Sequence, residues 1–268
     1  MYKKFLLAVL MTVVSTDIVL ANGGSFMPAV NFNPHCYVAL EAGYGISSGV
    51  SFLPDYGVNG NSDFNWNLPA GSLIDNDDFG SAPLFGASFG YVFTPNFSLG
   101  LSYDWIGNYK YDKFYSSTSA SSDSFGDGYY DDGIHFQPLL ATLRLNPSTG
   151  FGGIIPFMEV GAGVSFNNSG DFNSFNLTPS GSPNSYNDII NNKTMTNFAW
   201  KAGLGVDYGF HNHYHFIVGY RYMDVGKIET ASTRTDLIRG NSGSIAPLES
   251  NNIGINQAYI SLAYDFNA

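Results

Sequence analysis

Near the end of the chain, Ala258, Ile260, Leu262, Tyr264 and Phe266 occupy every second position, and all five are apolar. Gln257, Tyr259, Ser261, Ala263 and Asp265 alternate with them. A period of two puts the first set on one face of a strand and the second on the other. A strand cannot satisfy its backbone groups alone, so a chain written in this pattern must close its strands on one another. The apolar face is rich in aromatics, and the facing positions are small, polar or charged.

The pattern recurs, and eight strands are expected. They cover Tyr37–Gly45, Leu84–Phe93, Phe97–Trp105, Phe136–Asn146, Pro156–Phe166, Phe198–Phe210, Tyr214–Met223 and Gln257–Phe266. Most are about 9–11 residues, the length a tilted strand needs to cross a bilayer. Pro138 cannot donate to a ladder, so it is expected above the membrane or at a bulge. The connections alternate in length. Thr94-Pro95-Asn96, Pro147–Ile155 and His211–His213 are short, whereas Ile46–Pro83, Ile106–His135, Asn167–Asn197 and Asp224–Ile255 are long. Loops of that length are uncommon in a compact soluble domain. Short turns at one end and long loops at the other characterise outer-membrane barrels. The fold class expected is all-β: an eight-stranded antiparallel transmembrane β-barrel with short periplasmic turns and long extracellular loops.

The start of the chain agrees with this address. Lys3 and Lys4 precede a short apolar run over Phe5–Val14, as in a secretory signal peptide. Val19 and Ala21 suit the minus-three and minus-one positions of a cleavage site. Residues 1–21 are read as the signal, 22–36 as a periplasmic segment and 37–266 as the barrel. No other stretch approaches the roughly 18 apolar residues of a membrane helix. Charged residues make up only 12% of the chain, about half the soluble average of ~25%. The net charge of −11 argues against nucleic acid, since removing Lys3 and Lys4 from the eleven Lys and Arg leaves nine without a patch. The single cysteine, Cys36, excludes an internal disulfide and is expected as a buried thiol at the start of the first strand.

A soluble barrel with the same strands would have its apolar faces inside. Here the inward parity holds Glu41, Arg144, Glu159, Lys201, Asp207, Arg221 and Asp265, with Asp104 sharing that face, and a soluble core would have to bury those charges at high cost. Turning the aromatic face to lipid removes the conflict. Those eight residues are then expected to form a lumen network, because eight strands leave an interior just wide enough to be filled by side chains. The network reads either as a static plug or as a gate for small ions.

Residues 198–210, Phe-Ala-Trp-Lys-Ala-Gly-Leu-Gly-Val-Asp-Tyr-Gly-Phe, with Phe216-Ile-Val-Gly-Tyr-Arg-Tyr-Met-Asp-Val, resemble the penultimate hairpin of OmpA-like and opacity-type eight-stranded outer-membrane proteins. Tyr37-Val-Ala-Leu-Glu-Ala-Gly-Tyr-Gly resembles their first strand, and residues 90–105 their first periplasmic hairpin. The resemblance implies a barrel whose last strand, with Ile260, Leu262, Tyr264 and Phe266, is read by the barrel assembly machinery. It implies no single activity, and the periplasmic peptidoglycan-binding domain of the longer members has no counterpart here.

Other sets carry alternatives. Tyr44, Trp105, Trp200 and Tyr222 at one end, and Tyr91, Phe93, Tyr208, Tyr214 and Phe266 at the other, suit interfacial girdles better than a sugar-stacking site. His211, His213 and His215 crowd one turn without completing a strong metal set. Asp75, Asp77, Asp78, Asp123, Asp127, Asp131 and Asp132 are acidic loop residues lacking calcium-loop spacing, although divalent ions could bridge such loops to lipopolysaccharide. A lipid-modifying enzyme would need a Ser, a His and an acid converging near one interface, and neither His135 nor His215 has such a Ser at matching parity. The functions weighed are a structural or adhesion-type surface protein, a narrow ion-conducting pore and a lipid-modifying enzyme. The first is favoured, with no cofactor and no metal. Its expected partners are membrane lipid and lipopolysaccharide, the assembly machinery and a surface or host ligand at the loops, and the protein is expected to be a monomer.

Overall fold

The computed structural model describes residues 32–54, 74–77, 79–117, 125–146, 153–177, 183–211, 213–237, 240–244 and 247–266. The signal segment lies outside these residues, as do Asp78, Asp123 and the side chains of Asp75, Asp77, Asp127, Asp131 and Asp132. Among the described residues there are fifteen strands. They are β1 His35–Ser47, β2 Val50–Pro54, β3 Ile74–Asp77, β4 Ser81–Thr94, β5 Phe97–Ser117, β6 Phe125–Leu145, β7 Ile154–Asn168, β8 Phe172–Leu177, β9 Pro183–Ile190, β10 Thr194–His211, β11 Tyr214–Asp224, β12 Thr233–Asp236, β13 Ser242–Ser244, β14 Leu248–Ser250 and β15 Gly254–Phe266.

Eight of them form a closed antiparallel ring in the order β6-β5-β4-β1-β15-β11-β10-β7, with β7 returning to β6. The seam joins the first strand to the last, from Cys36↔Phe266 to Ser47↔Ile255. Closure leaves no edge in the ring, which is why such a sheet can stand in hydrocarbon.

The two faces separate as the alternation requires. Leu40 is 70% exposed, Phe198 68% and Leu204 62%, all pointing outward. Each large apolar side chain left in water forgoes about 1.5–3 kcal/mol, so a continuous outward band of them is stable only in lipid. Asp104, Glu159, Lys201, Asp207, Arg221 and Asp265 are buried inside. An apolar outside and a polar inside are the construction of an outer-membrane barrel.

Three expectations are corrected. Cys36 is free and only half-buried, because its parity places it outward with Val38 and Leu40. Pro138 sits inside β6, paired with Ser165 of β7. Toward β5 the register runs from Tyr103↔Leu139 to Ile106↔Phe136 without pairing at Asp104 and Trp105, as expected opposite a residue lacking an N–H. The bulge falls instead at the shift between Ile106 and Tyr109, where Asn108 adopts φ 65°.

The third correction concerns the segment read as a long loop between Ile106 and His135. Its described parts, residues 106–117 and 125–135, continue β5 and β6, which are 21 residues each. At His135 β6 leaves β7, and from Asp131 back to Gly126 it pairs with β8. Strands β9, β12 and β13 extend that sheet, and β14, β2 and β3 form a second small one. From His135 back to Phe125, β6 projects about 30 Å at the rise of an extended strand.

Candidate functional site

The lumen is built from one inward residue in every two. Its centre is Arg221 on β11, whose side chain is fully buried. Its Nε donates to Gln257 Oε1 at 2.5 Å. Its Nη2 lies 2.7 Å from Glu41 Oε1 and 3.2 Å from Asp104 Oδ2, and its Nη1 lies 4.0 Å from Glu159 Oε1. The guanidinium carbon stands 4.6 Å above the Tyr259 ring, and the Tyr259 hydroxyl donates to Glu159 at 3.0 Å. Lys201 Nζ donates to Ser102 Oγ at 3.1 Å, and Ser102 meets the Thr142 hydroxyl at 3.2 Å. Arginine suits the centre because its fixed fork serves several acceptors at once.

Glycines make room for these side chains. Tyr37 lies over Gly90 and Gly100, so that a Cβ on Gly90 would come within 2.5 Å of its ring and one on Gly100 within 2.8 Å of its hydroxyl. Between Arg144, Glu159 and Lys201 a cavity of about 40 Å³ remains. A water needs ~10–15 Å³ by this measure, so there is space for only a few waters.

A second cluster lies at the short-turn end. Arg144 Nη2 is 3.4 Å from Asp207 Oδ2, and its guanidinium packs 3.6 Å above the Phe157 ring. His215 Nδ1 is 2.9 Å from Asp207 Oδ1, and its Nε2 is 3.0 Å from Asp265 Oδ2. His35 Nε2 reaches the same Asp265 oxygen at 3.0 Å. These groups line a vestibule of about 220 Å³ at the short-turn mouth.

At the opposite end the lumen is closed by apolar side chains. Leu84, Ile106, Tyr109, Ile134, Phe136, Met223, Val225, Ile253 and Ile255 are all fully buried there. Tyr109 and Phe136 have ring centroids 5.7 Å apart. Tyr109, Ile255 and Ile106 converge on the space above Gly45, which has no side chain to block them. The segment from Val225 to Ile228 lies across the mouth. Asn167 Nδ2 donates to the Val225 and Lys227 carbonyls at 2.7 and 2.9 Å, and Asn197 Nδ2 donates to the Lys227 carbonyl at 2.8 Å. Residues 225–230 ladder with 248–253 through Val225 N to Ile253 O at 3.1 Å and Thr230 N to Leu248 O at 3.0 Å. Gly226 takes φ 79°, a left-handed conformation just past the end of β11 that glycine adopts without steric cost.

The eight charged residues named from the sequence therefore fall into two groups. Glu41, Asp104, Glu159, Lys201 and Arg221 are central, and Arg144, Asp207 and Asp265 stand at the short-turn mouth. The alternation of the last strand puts Gln257 and Tyr259 on the inward face without marking them as network members, and Tyr37 and His35, also of inward parity, carry no such signal in the sequence. Ile260, Leu262 and Phe266 face outward on β15, and Tyr264 packs edge-on between Tyr214 and Phe266 at 5.1 Å from each.

Both ring nitrogens of His215 are engaged by carboxylates, which leaves neither to act as a general base. His213 Nδ1 lies 3.0 Å from the Asp265 carbonyl, His135 Nδ1 lies 2.9 Å from the Gly133 carbonyl, and the His211 side chain is outside the described residues. Among the described residues no group of three or more His, Cys, Asp or Glu is arranged to hold a metal.

No family model matches this chain, and no curated protein matches it by sequence. Solved structures do resemble it. Neisserial surface protein A aligns over 88% of this chain and 100% of its own, at 14% identity and TM-score 0.43. The outer membrane protease OmpT of Escherichia coli aligns over 91% and 99%, at 13% and 0.48. The outer membrane protein OprG of Pseudomonas aeruginosa aligns over 87% and 97%, at 14% and 0.40. Identities this low carry no residue roles across.

Proposed function

We propose that this chain is an outer-membrane surface protein of structural or adhesion type, in which a sealed barrel anchors and the projecting sheet meets a ligand. The observation that carries this reading is the double closure of the lumen, by the Arg221 network at its centre and by the apolar cap above it. An ion entering from the short-turn mouth meets a fully buried salt bridge and then a dry constriction. The even strand number puts both ends of the barrel on the short-turn side, the periplasm, and leaves the β5–β6 hairpin outside. The cap also braces that outer part. Lys193 pairs with Glu229 at 2.8 Å and Lys227 with Glu249 at 2.5 Å, so the outer segments are cross-tied. The outward residues of β15 are where the assembly machinery and membrane lipid meet the barrel, and lipopolysaccharide would surround its outer rim.

Two measurements test this, one on the protein extracted in detergent and one on cells that display it. In planar bilayers it is expected to show no stable conductance steps. Replacing the hairpin beyond the cap, residues 111–132, with a two-residue Asn-Gly turn is expected to leave the barrel folded and to abolish binding of cells to host or abiotic surfaces. Stable channels altered by Arg144→Ala or Arg221→Ala overturn the sealed-anchor reading in favour of a pore.

A further inference from the structure

We infer that the barrel seam is locked at its periplasmic end by a protonation-dependent latch made of His35, Asp265 and His215. The groups run in a line of alternating charge across five strands: Arg144 on β6, Asp207 on β10, His215 on β11, Asp265 on β15 and His35 on β1. The step from Asp265 to His35 crosses the junction of the last strand with the first, where the ring closes.

Hydrogen-bond geometry fixes the protonation state. His215 presents Nδ1 to Asp207 at 2.9 Å and Nε2 to Asp265 at 3.0 Å, both acceptors only. His35 presents Nε2 to Asp265 at 3.0 Å and Nδ1 to the Asn33 carbonyl at 2.8 Å, again two acceptors. A neutral imidazole has one donor nitrogen and one lone pair, so either ring in that form would set a lone pair against an oxygen at about 3 Å. The His215 ring, with a carboxylate oxygen at each nitrogen, is therefore an imidazolium here.

The other titratable or charged groups facing the latch are Asp207 and Arg144, with Tyr37 from β1 and His213 from the β10–β11 turn. Arg144 sits on the far side of Asp207. Both histidines line the vestibule, so solvent protons reach them. The latch is closed while the His215 ring is charged between its two carboxylates, and it opens as rising pH removes that proton.

The test uses protein extracted in detergent. Imidazole nitrogen spectra of the ¹⁵N-histidine-labelled protein, assigned with His35→Gln and His215→Gln, are expected to show both nitrogens of His215 protonated at about pH 7. A His215 ring found as a neutral tautomer overturns the latch. The heat-unfolding midpoint, read from the gel-mobility shift, is expected to fall by about 4–8 °C from about pH 6 to about pH 9. The fall should be reduced in His35→Gln, which opens only the seam contact, and absent in the double variant. A wild-type midpoint that does not move, or a double variant that falls equally, overturns it. If the double variant does not fold, the nitrogen spectra and His35→Gln still decide.

Discussion

Arg221→Met removes the charge and the fork of the central arginine while keeping most of its length. In the wild type that guanidinium contacts Glu41 at 2.7 Å, Asp104 at 3.2 Å and Gln257 at 2.5 Å, all away from solvent. The variant leaves Glu41, Asp104 and Glu159 facing one another, with Lys201 the nearby cation. Breaking a buried ion pair by removing one partner costs about 3–5 kcal/mol. An independent ceiling comes from protonation. A carboxyl of ordinary pKa ~4.3 can be neutralised at about pH 7 for about 3.7 kcal/mol, at 1.36 kcal/mol per unit. One such event relieves most of the repulsion, so the two routes agree on a loss near 4 kcal/mol. At about pH 5 the same neutralisation costs only ~1 kcal/mol. The loss should then shrink by roughly 2–3 kcal/mol, because here acid removes the penalty. The assay is denaturant unfolding in detergent micelles at both pH values, followed by tryptophan fluorescence and gel mobility. Adding Glu41→Gln and Asp104→Asn should recover part of the loss. A decrease below ~1 kcal/mol, or one equal at the two pH values, would refute the claim that Arg221 neutralises buried carboxylates.

Three further outcomes follow from the same geometry. Gly90→Leu drives a side chain into the Tyr37 ring and is expected to cost about 1–3 kcal/mol in unfolding free energy, whereas Tyr37→Ala should relieve that clash in the double variant. Leu262→Arg puts a charge on the outward band and is expected to cost about 2–4 kcal/mol in lipid vesicles, while Leu262→Phe should be near neutral. Arg144→Ala alone should leave planar-bilayer conductance absent, because the cap remains. Arg221→Ala combined with Ile106→Ser and Phe136→Ser removes the centre and wets the cap, and only that combination should give measurable current.

The two faces of the barrel were legible from single residues. Parity assigned Leu40, Phe198 and Ile260 outward, and Glu41, Lys201 and Arg221 inward, because alternation is a property of the extended backbone and needs no partner to express it. The same rule put Gln257 and Tyr259 inward, and, extended to the start of the first strand, it puts Tyr37 and His35 inward and Cys36 outside. The β5–β6 extension was not legible. Beyond Ile106 the bulge at Asn108 breaks the period, and Gly-, Ser- and Asp-rich stretches there read as turns.

What the sequence alone determined, then, is which side chains face lipid and which face one another across the lumen. Which of them meet was decided by the tertiary structure. Arg221 and Glu41 are 180 residues apart in the chain, and His35 and Asp265 are 230 apart. Their contact depends on strand order and on the stagger that sets the height of each inward residue around the ring. The cap was decided there too. Ile106, Phe136, Val225 and Ile255 come from four different parts of the chain and close the mouth only once the ring has brought their strand ends together.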